Sequence, residues 1–320
     1  MTREIRKELN QAKGLYKNGK KEEAFEIYDR HFNENPDKFD HWDKIRYCWC
    51  IYYLFIRDSN NEHELAENVE KVTGIVKQEN LNKSPVCVYT QCVFKMIMFL
   101  KAQNDWEYML YWLDKLNPKL LSETQRDSGD VTYPSKKEEY YKFLSKAYLQ
   151  CGEYEDCIEV SKEALNRLTN FALNGDVWHK WNIAKSLRML NRSSEALTYL
   201  EDVAEVQKDW FVYKEFAENY HVLNDNENAL RFAAQSVLTN DPAEIKVNVY
   251  HLIYNILKDS DPELALKHAE LYLGIKIENG GLIDEDIEEL EIDEDDIDID
   301  ALEGEIKSYW QEFNFHKTDS

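Results

Sequence analysis

Tyr148-Leu149-Gln150-Cys151-Gly152-Glu153-Tyr154-Glu155-Asp156-Cys157-Ile158-Glu159-Val160-Ser161-Lys162-Glu163-Ala164 reads as the end of one helix, a tight turn and the start of a second helix. Gly152 supplies the turn, because it enters the left-handed region without a Cβ penalty. Cys157 is small, as a residue must be where two helices approach closely. Working outward, the same order of features recurs. Residues 187–200 carry Asn191 and Ala196, residues 220–233 carry Asn224 and Ala229, and residues 256–269 carry Pro262 and Ala265. Near the start, residues 15–28 carry Gly19 and Ala24, and the segment ends at Pro36. The anchors Cys157, Ala196, Ala229 and Ala265 are 39, 33 and 36 residues apart.

Periodicity supports helices throughout. Ile183, Ala184, Leu187 and Leu190 fall at i, i+1, i+4 and i+7, and Leu197, Leu200, Val203 and Ala204 recur at three and four. Seven helix pairs are predicted, at 3–35, 41–79, 86–116, 136–169, 177–207, 210–239 and 243–274. Each pair has two apolar faces and buries both only by stacking on neighbours. Composition agrees. With 10 Gly and 6 Pro in 320 residues, where average usage gives roughly 38, Gly-rich nucleotide loops and turn-dense β folds are excluded.

These segments resemble the tetratricopeptide repeat family, whose unit is a helix–turn–helix of 34 residues. The likeness is good over 5–38 and 138–272 and blurred over 40–120. It implies an all-α, right-handed superhelical solenoid whose first helices line a concave groove. Residues 140–279 further resemble bacterial repeat proteins, some of which continue into a cold-shock-like β-barrel; no such barrel is expected in these 320 residues. The expected organisation is an N-terminal block 1–120, a loop 121–135, a second block 136–276 and an acidic tail 277–320.

Charge is uneven. The formal charge is −23, and residues 277–320 hold 17 acids and 2 bases. Such a chain is not steered as a whole toward nucleic acid or anionic lipid. The longest apolar run, Tyr47–Ile56, is too short to span a bilayer, so no membrane is expected. Met1-Thr2-Arg3-Glu4 leads directly into a charged helix, and a cytoplasmic protein is expected. The six cysteines form no C-x-x-C and read as buried thiols.

No catalytic motif is legible, so no enzyme is expected. His63-Glu64 lacks the second histidine of a zinc-protease motif. The eight histidines form no metal set, and no cofactor or metal is expected. An EF-hand register from Asp296 puts Ala301 where Gly is needed and Lys307 where Glu is needed.

The candidate ligand residues follow from helix phase together with the resemblance. They are Lys142 and Lys146, then Trp178, Trp181, Asn182, Lys185 and Arg188, then Phe211, Lys214 and His221, and then Tyr250 and Tyr254. Asn182 with Lys142 and Lys146 resembles part of the carboxylate clamp of chaperone-binding repeats, but Phe211 and Glu215 stand where that clamp has bases. The resulting expectation is a scaffold or adaptor for a protein or peptide, with self-association through exposed array ends open. The alternative is an RNA-associated module that uses the basic and aromatic stripe.

In the tail, Leu302, Ile306, Tyr309, Trp310 and Phe313 form a helical stripe, and Ile283, Ile287 and Leu290 form another. Two short acidic helices joined by 293–298 are expected, with Asp300 and Glu303 as a capping box. Three roles are open: a cap on the array, a docking element for a partner, or an occupant of the groove drawn there by charge.

Overall fold

The computed structural model describes residues 3–84, 86–294 and 297–312. All seven expected helix pairs are present: α1 (Arg3–Lys17) with α2 (Lys21–Glu34), α3 (His41–Ile51) with α4 (Glu62–Ile75), α5 (Val88–Gln103) with α6 (Trp106–Asp114), and α7 (Lys136–Cys151) with α8 (Tyr154–Arg167). They continue as α9 (Gly175–Met189) with α10 (Ser193–Ala204), α11 (Trp210–Val222) with α12 (Asn226–Val237), and α13 (Val247–Leu257) with α14 (Pro262–Glu278). The fold is an all-α helical repeat solenoid.

The repeat logic is visible in each pair. Gly19, Asn104, Gly152, Asn191 and Asn224 all have φ between 58° and 80° and turn the chain between partner helices. Only Gly, or Asn with its short polar side chain, adopts that backbone cheaply. The anchors Ala24, Cys157, Ala196 and Ala229 are fully buried, and Ala265 is 1% exposed. At Cys157 the helices approach so closely that Sγ lies 3.2 Å from the Ser145 carbonyl. Side chains of Asp40, Asn61, Asp105, Asp225 and Asp261 each accept from the backbone N–H three residues on, closing the orphan donors of a helix start.

The chain divides into two compact units, 1–175 and 176–320. The division falls after α8, and the 121–135 loop lies within the first unit. That loop belongs to the first unit because its ends are tied down. The Lys137 amide donates to the Ser122 carbonyl, 3.0 Å. The buried Glu138 carboxylate accepts from the Gln125 amide and from the Ala172 backbone, 2.8 Å for the latter. The loop also forms a short antiparallel hairpin that was not expected, β1 (Arg126–Ser128) paired with β2 (Val131–Tyr133). Gly129 at φ +62° makes its turn.

In the first unit, Leu9, Tyr28, Tyr47, Ile51, Val69, Met96, Leu100 and Trp112 join one apolar core, and α2 meets α3, α4 meets α5 and α6 meets α7. The second unit has its own core, which includes Ala233, Val249, Tyr250, Ala269 and Tyr272. Cys48, Cys50, Cys87, Cys92 and Cys157 are buried free thiols, while Cys151 is partly exposed. Burial pushes the Cys48 and Cys50 thiols up to about 12, which leaves them unreactive.

The tail completes the second unit. Its first helix is a single turn, α15 (Glu285–Glu288), and its second is α16 (Ile299–Glu312). The cap of α16 is Asp298, whose carboxylate accepts from the Ala301 amide at 3.0 Å, so the expected box at Asp300 and Glu303 is displaced by two residues. Among the described residues, no helix is long and apolar enough to cross a membrane.

Candidate functional site

In the second unit, α9 and α11 lie side by side through their facing side chains. The Trp178 and Phe211 rings stack with centroids 6.1 Å apart, and Trp181 meets Phe211 edge-on at 5.1 Å. All three rings are half-buried, so one edge of the cluster packs and the other faces solvent. The Lys185 amine sits 5.8 Å from the Trp181 ring centroid. Next along α9, Arg188 reaches across to two carboxylates of α11. Its Nε donates to Glu215 Oε1 at 2.6 Å, and its Nη2 lies 2.9 Å from Glu218 Oε2. Lys214 pairs with Glu218 one turn on.

Glu215 is only 3% exposed. Burial pushes its carboxyl above the ordinary carboxylate range, against the pull of Arg188. Burial acts on Glu218 in the same sense, but Lys214 and Arg188 outweigh it and hold that carboxyl below the ordinary range. Of the five cations read from sequence as a basic stripe, the three on α9 and α11 are largely matched: Lys185, Arg188 and Lys214 face Glu215 and Glu218, leaving a net of +1 on these two helices. His221 completes the face, with its Nδ1 3.2 Å from Asn226 Oδ1.

The remaining expected residues divide. Asn182 is buried in the packed side of α9. Tyr250 is fully buried and Tyr254 is 7% exposed, so both belong to the core rather than to a ligand face. In their helix α13 the polar residues Asn248, His251 and Asn255 fall at i, i+3 and i+7, and Tyr250 and Tyr254 lie on the opposite, apolar side. Lys142 is exposed and Lys146 half-buried on α7 of the first unit.

The tail stripe docks on its own unit. Ile306 and Trp310 are buried against α14, Leu302 packs beside them, and Tyr309 stays exposed. Phe313 lies outside the described residues. Trp310 Nε1 donates to His268 Nε2 at 3.0 Å, and the other nitrogen of that ring meets the Leu264 carbonyl at 2.8 Å. Burial pulls His268 down to about 4. His251 on α13 lies 3.0 Å from Asp286, and the Tyr272 hydroxyl donates to Asp284. These contacts make the tail a cover for the last helix pair. The acidic turn is held by His251 of α13 and Tyr272 of α14. Among the described residues, no group of three or more His, Cys, Asp or Glu is placed to hold a metal.

Paired antiparallel helices, left-handed Gly or Asn turns and buried small anchors decide the architecture. The fold is tetratricopeptide-like. No protein-family model and no curated protein matches the chain. Several solved tetratricopeptide-like structures are similar. A Rap protein complexed with competence and sporulation factor is 13% identical, with a TM-score of 0.48 over 97% of this chain and 88% of that one. A tetratricopeptide repeat protein from Parabacteroides merdae is 15% identical, with a TM-score of 0.43 over 89% and 96%. The TPR2AB domain of yeast Sti1, in a complex with pHSP90, is 14% identical, with a TM-score of 0.33 over 79% and 98%.

Proposed function

We propose that the chain is a non-catalytic interaction scaffold that receives a protein or peptide on the α9–α11 face. The observation that carries this reading is the half-buried Trp178, Trp181 and Phe211 cluster beside charges that are already paired. Aromatic anchors ringed by matched polar groups are the usual chemistry of a protein-binding hot spot. A net of +1 on that face, in a chain of −23, gives phosphate backbones little to hold, so the nucleic-acid reading loses its electrostatic support.

The test is capture from nuclease-treated source lysate by the wild-type chain and by a Trp178→Ala, Trp181→Ala variant of unchanged helicity. Polypeptides retained by the wild type and lost by the variant support the reading. The same polypeptides on both would rule this face out.

A further inference from the structure

The apolar run Tyr47–Ile56 is only partly core. Tyr47, Cys48, Cys50, Ile51 and Ile56 are fully buried, but Trp49, Tyr52 and Tyr53 are half-buried. After α3 the chain widens into a π turn, Tyr52–Ile56, closed by the Arg57 amide on the Tyr52 carbonyl at 2.8 Å. Such turns are rare and concentrate at functional sites. Here the wide turn places two consecutive tyrosines beside Trp49. Trp49 and Tyr52 meet edge-on at 5.3 Å, Tyr52 and Tyr53 edge-on at 5.4 Å, and Trp49 and Tyr53 lie tilted at 5.7 Å. Tyr16 of α1 lies close enough to Tyr53 for their hydroxyls to interact electrostatically.

Two further features define this face. The polar tips of Tyr16, Trp49, Tyr52 and Tyr53 make no side-chain hydrogen bond among the described residues, and none is sealed from solvent. Cations also border the rings. Lys21 Nζ sits 3.7 Å from the Tyr53 centroid, and the Arg57 guanidinium lies 5.6 Å from it. Arg57 pairs with Asp58, which also feels Lys95 of α5. Arg46, paired with Asp43, also acts on Tyr16, so with Glu22 included four cations face three carboxylates.

We propose that this face of the first unit binds a proline-rich segment in the polyproline II conformation, flanked by acidic residues. Tyr52 stands nearly perpendicular to Trp49 and Tyr53, which gives aromatic corners against which pyrrolidine rings can pack. A polyproline II chain makes no internal hydrogen bonds, so its carbonyls are free for the indole and hydroxyl donors. A helical ligand satisfies its own carbonyls and leaves those four donors unused. Stacked nucleobases call for parallel ring platforms and a large surplus of cations, whereas here Tyr52 stands edge-on to both its neighbours and the surplus is a single charge. The surplus charge at Lys21 selects an acidic flank.

The test uses the full chain and an octaproline peptide carrying glutamates at both ends, measured by titration calorimetry at low salt. Comparison peptides replace the prolines by alternating Gly and Ser, or the glutamates by lysines. The glutamate–proline peptide is expected to bind and the Gly–Ser peptide not to. The lysine version is expected to bind about two- to fivefold more weakly. Tyr52→Phe with Tyr53→Phe keeps the rings, removes two donors and should weaken binding at least about fourfold. Trp49→Ala should abolish binding. Trp181→Ala should leave it unchanged, which separates this site from the α9–α11 face. Absence of binding by the glutamate–proline peptide, or undiminished binding by the Tyr52→Phe, Tyr53→Phe variant, overturns the proposal.

Discussion

Two buried residues of the second unit, Glu215 and His268, make its stability depend on pH. Arg188 is the main counter-charge of the buried Glu215 carboxylate. Removing one partner of such a pair leaves an uncompensated buried charge. Arg188→Met should therefore cost about 3–5 kcal/mol at pH 7 by urea titration. Glu215 already holds a proton more readily than an exposed carboxylate, so the loss should shrink toward pH 5. His268 acts in the opposite sense. Burial lowers it from 6.5 to about 4, so below pH 6.5 the unfolded chain takes up a proton that the folded chain refuses. Its contribution is whole above pH 6.5 and falls away down to about pH 4, by up to about 3 kcal/mol. Comparing the slope of stability against pH in the wild type and in His268→Phe checks this, since only the wild type has the ring that titrates. Neither role was legible in the sequence. The partner of Arg188 is 27 residues away and that of His268 is 42 residues away, and no periodicity reports such a pairing.

At the scale of elements, the helices were readable because each obeys local rules. Gly152, Asn191 and Asn224 mark turns by backbone preference, and Ala196 and Ala229 mark close contacts by size. What failed lies where local rules are silent. The hairpin at 126–133 depends on tethers to Glu138 and Asn170. The π turn after α3 carries no signature that separates YYLF from ordinary helix. α13 is the exception. Asn248, His251 and Asn255 mark its polar face at i, i+3 and i+7, so the core place of Tyr250 and Tyr254 was present in the pattern. Assigning them to the ligand face from helix order alone overlooks it. Gly274 of α14, by contrast, carries no such signal. A Cβ there would stand 2.7 Å from Ile297 and 2.9 Å from Ile299, so glycine is what lets the tail lie against the helix. Gly274→Val should loosen that contact. Limited proteolysis is expected to cut between α15 and α16 sooner than in the wild type, with α1–α13 protected as before.

At the scale of the whole chain, each unit carries its own core, and the second is closed by residues of the tail. Deleting 282–320 removes Ile287, Ile306 and Trp310 and uncovers their apolar bed on α14. The truncated chain should bind a hydrophobic dye and melt several degrees lower, as expected when a few kcal/mol of packing are lost. An equal melting temperature would show that the cover adds no stability. The recess at position 274 also carries a historical consequence. An ancestor that gained a side chain there would have had to reroute or shed its acidic extension, and a lineage that lost the extension would be free to vary position 274. Across descendants of this gene, glycine at that position and the isoleucines at 297 and 299 should be inherited together.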